Sequence, residues 1–509
     1  MSTFIVMGST LVSRLFGFVR IAVVGAIYGA GGEADVLNAV FTIPNNLRKL
    51  MAEGALSSAF IPVLSRSLVQ DPGGERSRKI VGNIFTFQLL IIVPLLIGSV
   101  LFAPRLVRLI LDFPDPERIL LSTRLFRWMI HYLLLVSVSA VMMGVINAHS
   151  GFFIPAVTPI LFSVAVISSI LLFHDHLGAF AMVVGVLVGG VVQILFQLPT
   201  LLRYGYSLGL DFRFRNPDFI HVMKQWLPVV ATASVYTINE QIAIRFSTAL
   251  EVGSASAMSN ALVFWQLPFG IFSASITTVL FPRMSRQAGL EDLQGLKATL
   301  EYGFQYLILL LVPSAIFLSL LGEEVIAVAL QRGIFTAENT LITARVLRGF
   351  NWGLLPVGAF NFFQRYFYSR DDFRTPLHSA VFVCITDIAL SLWLKETPLR
   401  VTGLAVANSL AFAGGLVIMY HHASRSLGGL DGKKILMTFG KTLVSAAPAA
   451  VFLRAYLLYT GDWWRAGSTG RNLGLLAAAG LGALGILGVM FRLVGMEVLS
   501  VFRKKEARE

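Results

Sequence analysis

The stretch that decides the fold runs from Asp35 to Arg66 and reads DVLNAVFTIPNNLRKLMAEGALSSAFIPVLSR. As a helix rising about 1.5 Å per residue, it would be roughly 48 Å long, which is enough to cross a bilayer. Three charged residues, Arg48, Lys49 and Glu53, stand near its middle. Each such charge costs roughly 2.5 to 3.5 kcal/mol at the bilayer centre, so it is tolerated only when it faces protein or a water-filled cavity. The stretch therefore predicts a helix that forms the wall of a cavity inside the membrane.

The composition indicates an integral membrane protein. Hydrophobic residues make up 56% of the 509 residues, and the mean hydropathy is +0.74. The net charge of +13 could suggest a nucleic-acid partner, but the basic residues cluster in short loops between apolar runs, as the positive-inside rule describes. No polar segment is long enough to bind a duplex, so nucleic acid is not expected as a partner. Because Cys384 is the single cysteine, an internal disulfide and a Cys-based metal site are excluded.

The hydrophobic pattern predicts about fourteen membrane-spanning helices. Their approximate ranges are 3–30, 34–66, 80–102, 123–148, 154–173, 178–203, 220–249, 255–285, 298–321, 341–369, 376–394, 402–424, 435–459 and 471–495. Basic residues concentrate in the loops after even-numbered spans, and this bias places both termini in the cytoplasm. One charged segment breaks the pattern, from Arg105 to Arg124, where acidic and basic residues alternate as in a helix lying at the membrane surface.

A short internal repeat suggests how the spans are grouped. IPVLSR at 61–66 and FPRMSR at 281–286 end the second and eighth spans, and each follows an earlier proline, Pro44 or Pro268. Because six spans separate the copies, the two halves would have the same orientation in the membrane, as in transporters with parallel repeats. A chance match of such a short pattern is the alternative. The predicted domains are an N-terminal six-helix lobe at 1–204, a second six-helix lobe at 205–430, and a final helix pair with a basic tail at 431–509.

The charges of the first two spans point to an anionic ligand. Four cations, Arg14, Arg20, Arg48 and Lys49, stand against one acid, Glu53, in the part of these two spans that lies inside the membrane, for a net charge of about +3. If these residues formed buried ion pairs with one another, their positive and negative charges should nearly cancel. The excess of positive charge therefore favours an anionic substrate. Arginine in particular suits a phosphate or diphosphate, because its planar fork binds two oxygens at once. Glu53 lies four residues after Lys49 and could hold it by an ion pair. Snorkelling of some arginines to the cytoplasmic surface is the alternative.

Several stretches together resemble the MurJ (MviN) family of lipid II flippases, in the superfamily that also holds multidrug and oligosaccharidyl-lipid exporters. The stretches that carry the resemblance are SRLFGFVR at 13–20, GAGGEADVLNAVFTIPNNLRKLMAEGALSSAFIPVLSR at 29–66, FFIPAVTP at 152–159, QLPFGIF at 266–272, LFPRMSR at 280–286 and FYSRDDFRTP at 367–376. The resemblance covers essentially the whole chain, and the first 66 residues are its most specific part.

The resemblance implies an all-α integral membrane protein with a central cavity between two six-helix lobes and two extra C-terminal helices. It implies a flippase, not an enzyme, that moves the undecaprenyl-diphosphate-linked peptidoglycan precursor lipid II to the outer leaflet of the bacterial cytoplasmic (inner) membrane by alternating access. It also implies a set of substrate-site residues on the first two helices, at the positions of this sequence that match the family's motifs. These are the cavity arginines Arg14, Arg20 and Arg48, the acidic Asp35 near the outer end of the second helix, Asn45 of a PN motif, and Glu53 of an EGA motif.

The sequence departs from the family pattern on the eighth helix. Many relatives carry an arginine a few residues before the LP proline, whereas the aligned position here is Val263 in SNALVFWQLP. We expect Arg245, in INEQIAIRFSTAL, to supply the missing cation to the substrate site. The alternatives are a pair with Glu240, five residues earlier, or a position near the outer membrane surface.

A coupling cation is the one cofactor that the sequence suggests. Asp387 is an isolated carboxylate in an apolar helix, with Ser391 one turn later. Together with Glu240 and Asn408, these residues would form an oxygen-rich site for a cation such as sodium. Hydrogen bonding of Asp387 to neighbouring hydroxyls, or a place near a headgroup, is the alternative.

The final helix pair carries a pattern of small residues. Ala478, Gly482 and Gly485 would share one face and allow close packing. By resemblance, the pair would instead border a groove for the polyprenyl tail.

Other functions stay open at this point. Within the superfamily, export of another lipid-linked oligosaccharide or of a drug is the nearest alternative, although four cations in the first half disfavour cationic drugs. A non-transporting membrane scaffold is a further alternative, and cell-wall synthesis proteins are possible partners besides the bilayer and lipid II. An enzyme acting on polyprenyl diphosphate is disfavoured, because no carboxylate pair with metal-ligand spacing, nucleophile motif or phosphate loop is present.

Overall fold

The computed structural model describes residues 2–51, 55–71, 74–464 and 468–495, and over these residues the chain is helical with no β-strand. The all-α class predicted from hydropathy is therefore confirmed. The α-helices of the described residues are α1 (Ser2–Tyr28), α2 (Gly32–Met51), α3 (Ala55–Gln70), α4 (Glu75–Leu101), α5 (Ala103–Ile110), α6 (Pro116–Met129), α7 (Tyr132–Ala148), α8 (Phe153–Leu177), α9 (Phe180–Arg203), α10 (Pro217–Thr248), α11 (Ser254–Pro268), α12 (Ala274–Gly289), α13 (Leu293–Leu320), α14 (Gly322–Leu330), α15 (Ala337–Asn351), α16 (Leu354–Ser369), α17 (Arg374–Leu394), α18 (Val401–Ser426), α19 (Gly432–Thr460) and α20 (Thr469–Leu493). A π-helical turn, Phe269–Ser273, connects α11 to α12.

Ten helical stretches of the described chain are long and apolar enough to cross a membrane. They coincide with ten of the fourteen predicted spans. The other four predicted spans also fall on helices, namely α1, α2 with α3, α10, and α15 with α16. The count of fourteen spans stays a prediction. The two copies of the short repeat lie in α3 and α12, each with its proline, Pro62 or Pro282, inside the helix.

The chain divides into two compact units. The first is Met1–Ser256 with Gly333–Phe335, and the second is Ala257–Arg332 with Thr336–Glu509. Within the first unit, α10 packs against α2 and α3. The domain boundaries predicted at residues 204 and 430 stay predictions.

Two glycines of the first unit explain why α8 and α9 pack so closely. A Cβ atom added to Gly185 would lie 2.7 Å from the Cα atom of Val166, and one added to Gly189 would lie 2.8 Å from the ring of Phe162. Small residues at such contacts let helix backbones approach, which is how helices associate without a hydrophobic driving force in lipid. The close approach fixes Phe162, whose ring contributes to the cavity described below.

The charged segment from Arg105 to Arg124 forms two helices, α5 and α6, instead of one surface helix. Asp115 ends the connection between them, because its side chain accepts a hydrogen bond from the backbone nitrogen of Glu117 at 2.9 Å. Pro116 occupies the first helical position, where its missing N–H is not needed.

The final helices α19 and α20 pack closely in the second unit, but the contact face is shifted from the predicted one. Ala479 and Ala483 are buried, whereas Ala478 and Gly485 are exposed. A Cβ atom on Gly482 would lie 2.6 Å from the ring of Phe452, so this glycine does lie at the contact. The prediction chose Ala478, one residue before the buried Ala479. In this long run of small residues, more than one face of the helix carries Gly and Ala, so the sequence pattern does not identify the contact face.

Candidate functional site

A cavity of about 210 Å³ lies inside the first unit, among α1, α2, α7, α8 and α9. Arg20 from α1 and Arg48 from α2 both line it. The other polar side chains of its wall are Ser13, Tyr132, Ser139, Ser163 and Gln193. The cavity therefore combines two guanidinium groups with hydroxyl and amide groups, which is a suitable lining for an oxyanion.

The guanidinium of Arg20 lies between two aromatic rings. Its Cζ atom is 5.5 Å from the ring centroid of Phe41 and 5.4 Å from that of Phe162. Such cation–π contacts stabilise a desolvated cation without cancelling its charge. Among the described residues, no carboxylate forms an ion pair with Arg20. The positive charge of Arg20 is therefore held in place and available to an anion.

Arg48 is oriented by Asn45. Its Nε and Nη2 atoms donate to the Oδ1 atom of Asn45 at 3.2 and 3.0 Å. The acceptor is a neutral amide one helical turn earlier, so this contact positions the guanidinium without neutralising it. The geometry gives Asn45 a concrete role that the resemblance alone did not specify.

Lys49 turns away from the cavity and pairs with Glu240 on α10. Its Nζ atom lies 2.9 Å from Oε2 and 3.1 Å from Oε1 of Glu240. Consecutive helical residues point about 100° apart, which explains why Arg48 lines the cavity while Lys49 faces α10. The two side chains of the pair are 42% and 36% exposed, so the pair contributes only about 0.2 to 1 kcal/mol to stability.

Asp35 lies at the other end of α2, in its first turn. Its carboxylate is 2% exposed and accepts hydrogen bonds from the backbone nitrogens of Gly253 at 2.6 Å and Ser256 at 2.8 Å. Asn38 donates to the hydroxyl of the same Ser256 at 3.2 Å. Gly253 directly precedes α11 and Ser256 lies in its first turn, so Asp35 caps that helix where the free N–H groups and the helix dipole favour an anion.

The profile of the Lipid II flippase MurJ family matches residues 24–472. The chain belongs to this family. The sequence resemblance is thereby confirmed.

Relatives and solved structures agree with the MurJ assignment. A probable lipid II flippase MurJ of Borreliella burgdorferi is 32% identical over 506 residues, covering 99% of each chain. Another from Rhizobium tropici is 31% identical over 416 residues, covering 79% of this chain and 77% of the relative. A solved lipid II flippase MurJ in an inward closed conformation has a TM-score of 0.79 at 23% identity, covering 96% of this chain and 99% of that one. An inward-facing multidrug resistance MATE transporter of the MOP superfamily has a TM-score of 0.65 at 13% identity, covering 84% and 98%. At these identities the two structures show a shared fold.

The sequence resemblance implies an arginine on the eighth helix, where this chain has Val263, and Arg245 is the residue expected to replace it. The Nη2 atom of Arg245 lies 3.6 Å from Oδ2 of Asp112, and its Nη1 atom donates to the carbonyl of Leu109. Arg245 therefore binds the end of α5 and the connection that follows it. The alternative pair with Glu240 does not form, because Glu240 pairs with Lys49. This geometry gives no support to the prediction that Arg245 replaces the missing cation.

Three of the four residues predicted for a cation site come together in the second unit. Asp387 is 3% exposed, and its Oδ1 and Oδ2 atoms accept from the hydroxyl of Ser391 at 3.2 Å and the amide of Asn408 at 2.8 Å. Glu240 belongs to the first unit and pairs with Lys49. Within the described ranges, no three His, Cys, Asp or Glu side chains are grouped as metal ligands. The cation site of this MurJ family member stays a prediction.

Two predicted site residues cannot be placed. Glu53 lies outside the described residues, and Arg14 belongs to α1 while its side chain lies outside them too. In contrast, sequence reasoning missed Phe162 and Gln193, which line the cavity, and Phe41, whose ring contacts the guanidinium of Arg20. The Oε1 atom of Gln193 is buried and has no hydrogen-bond partner among the residues that the structure describes. No local pattern marks these residues, because an apolar or neutral side chain in a membrane helix looks the same whether it faces lipid or a cavity.

Proposed function

We propose that this chain moves lipid II, the polyprenyl-diphosphate-linked peptidoglycan precursor, from the inner to the outer leaflet of the bacterial cytoplasmic membrane for cell-wall synthesis. Membership of the lipid II flippase MurJ family supports the substrate. The single observation that carries the mechanism is the Arg20 guanidinium, which lines an interior cavity beside Arg48 and forms no ion pair with any described carboxylate.

The size and lining of the cavity fit the diphosphate part of the substrate. A volume of about 210 Å³ is below the roughly 300 to 1,000 Å³ that holds a drug-sized ligand. The sugars and peptide would therefore lie outside it, while the phosphates reach the two arginines. The rings of Phe41 and Phe162 flank the guanidinium of Arg20, and a phosphate bound beside these apolar groups would be screened less than in bulk water.

Transport would proceed by alternating access. The head group enters from the cytoplasmic leaflet, the arginines bind the diphosphate, and the protein changes conformation so that the site opens outward. A ligand drives such a change only through its different affinities for the two conformations. We propose both termini in the cytoplasm, as the distribution of basic loops favours.

Coupling to a cation would use Asp387, Ser391 and Asn408. The hydroxyl of Ser391 and the amide nitrogen of Asn408 already donate to Asp387. If the Asn408 amide turned its oxygen toward Asp387, the three side chains would offer carboxylate, hydroxyl and amide oxygens, a ligand set that hard cations prefer. We expect a sodium gradient to speed transport in the wild type and to have little effect on Asp387→Asn. Equal stimulation of both proteins would reject this coupling site.

The test is a flipping assay with purified protein in liposomes that contain defined lipid II. Wild-type protein should move lipid II faster than protein-free liposomes, and Arg48→Ala should lose most of that activity. Arg471→Ala, which removes an exposed arginine from the first turn of α20, is the matched control and should stay active. Movement of a different lipid-linked oligosaccharide but not lipid II would reject the substrate. If wild-type liposomes moved no lipid, the transport function itself would be rejected in favour of a scaffold.

A further inference from the structure

We propose that Glu240 competes with the substrate diphosphate for the ammonium of Lys49, and that this exchange controls how tightly the substrate is held. The proposal rests on the lipid II function proposed above and adds a residue that controls capture and release. Glu240 is then a positioning residue, since it acts through Lys49 and does not touch the substrate.

The geometry places Lys49 where it can serve either partner. It pairs with both carboxylate oxygens of Glu240, at 2.9 and 3.1 Å, and follows directly after Arg48, which lines the cavity. A lysine carries its charge on a flexible four-carbon stem, so its ammonium can reach a different acceptor by changing rotamers alone. A diphosphate held by Arg48 is therefore a second acceptor for Lys49.

The electrostatics make the exchange easy in both directions. Because Lys49 and Glu240 are 42% and 36% exposed, their ion pair is solvent-screened and weak. A diphosphate carries negative charge on both of its phosphates and is held by Arg48 as well, so it competes well with one carboxylate. When the substrate leaves, Glu240 recovers Lys49 and lowers the positive charge that holds the anion. This explains how a site rich in cations can release its substrate.

The other charged contacts of α10 show why this pair is the one that a substrate can break. Among the described residues, Arg76 pairs with Asp218 at 2.6 Å in the first turn of α10, and Arg245 lies 3.6 Å from Asp112 in the last turn. Both are tied to other parts of the first unit, and none of these four residues lines the cavity. Of the ion pairs that α10 forms within the described residues, the Lys49–Glu240 pair is the one that reaches the helix carrying Arg48. Breaking it would leave the apolar packing of α10 on α2 and α3 in place and would free only the ammonium of Lys49.

Binding measurements on full-length protein in detergent test the exchange, with undecaprenyl diphosphate as the probe and undecaprenyl monophosphate as its comparator. Glu240→Gln should bind the diphosphate about fivefold more tightly, and Lys49→Gln should bind it about fivefold more weakly. In the Lys49→Gln background, adding Glu240→Gln should not change the affinity for the diphosphate, because the ammonium for which the two anions compete is absent. The monophosphate should show smaller changes throughout.

Controls separate this exchange from a general loss of charge. Glu396→Gln removes the acid of a similar pair, with Lys395 at 3.4 Å in the second unit, and should leave binding unchanged. Glu240→Asp keeps the charge on a shorter side chain and should fall between wild type and Glu240→Gln. It also replaces Glu240→Gln as the test variant if the latter does not fold.

The outcomes also separate this proposal from the function on which it rests. Suppose that wild-type protein moves lipid II. The exchange is then wrong, and the function stands, if Glu240→Gln binds the diphosphate with wild-type affinity. The same holds if Glu240→Gln raises the affinity for the diphosphate equally in the Lys49→Gln background. If wild type neither binds the diphosphate nor moves lipid II, both fail. In liposomes, Glu240→Gln should move lipid II more slowly at saturating substrate, because release is slowed.

Discussion

The Oδ2 atom of Asp35 lies 2.6 Å from the backbone nitrogen of Gly253, 218 residues later in the chain. Together with the contact of Oδ1 to Ser256, it makes Asp35 a cap for a helix to which it does not belong. A buried carboxylate at a helix N-terminus satisfies two N–H groups that have no partner within their own helix. The acidic residue singled out by the family resemblance thus stabilises the beginning of α11, at the end of α2 away from the arginines.

Replacing Asp35 by asparagine should destabilise the protein. The amide keeps one acceptor, so one of the two buried N–H groups loses its partner, with an expected loss of about 1 to 3 kcal/mol. Thermal unfolding in detergent measures this. Asp431→Asn is the control, because Asp431 caps its own helix α19 in an exposed position where asparagine caps equally well. Equal shifts of both melting temperatures would contradict the capping role.

Arg20→Lys should weaken binding of a polyprenyl diphosphate by about tenfold, because lysine keeps the charge but loses the bidentate fork and much of the stacking on Phe41 and Phe162. Arg365→Lys is a matched control. Its guanidinium also lies over two rings, 5.5 Å from Phe281 and 6.0 Å from Tyr368, but it does not line the cavity. An equal loss in both variants would show that packing, not anion binding, explains the effect.

Arg245→Ala should retain diphosphate binding and lower thermal stability. The substitution removes contacts to Asp112 and to the Leu109 carbonyl, which attach α10 to the end of α5. Because the side chains of Arg245 and Asp112 are 35% and 56% exposed, solvent screens these contacts, and the loss of stability should be about 0.2 to 1 kcal/mol. Growth of cells depleted of their own flippase should be supported by Arg245→Ala and not by Arg48→Ala. If Arg245→Ala instead abolished diphosphate binding in folded protein, Arg245 would belong to the substrate site after all.

Gly185→Ala should destabilise the first unit by about 1 to 3 kcal/mol, because the new methyl group meets the backbone of α8, which cannot move aside as a flexible side chain would. Gly98→Ala is the control. Gly98 also lies inside a helix, α4, but a Cβ atom there meets nothing within 4 Å, so alanine should be neutral or slightly stabilising. The comparison is made by thermal unfolding, and a neutral Gly185→Ala would mean that α8 and α9 tolerate a wider separation.

The sequence by itself determined the class of the protein and the helical character of its spans, and it favoured an anionic ligand. These conclusions follow from features that can be read within single stretches of sequence. The apolar runs are long enough to span a bilayer, and two of them carry more cations than anions at a depth where an isolated charge is costly. The positions of Arg20 and Arg48 followed from the same reasoning, and both line the cavity.

Only the tertiary structure decided which partner each charged group has. Lys49 pairs with Glu240, 191 residues away, although Glu53 is nearer in sequence, and Arg245 binds residues of the α5 connection instead of Glu240. Arg20 is held by the rings of Phe41 and Phe162, which no sequence pattern singles out. The physical reason is that helical periodicity fixes the direction of a side chain only relative to its own helix. The groups that a side chain contacts depend on which helices pack together. That packing is determined by close contacts between helices, such as the contact of Gly185 with α8.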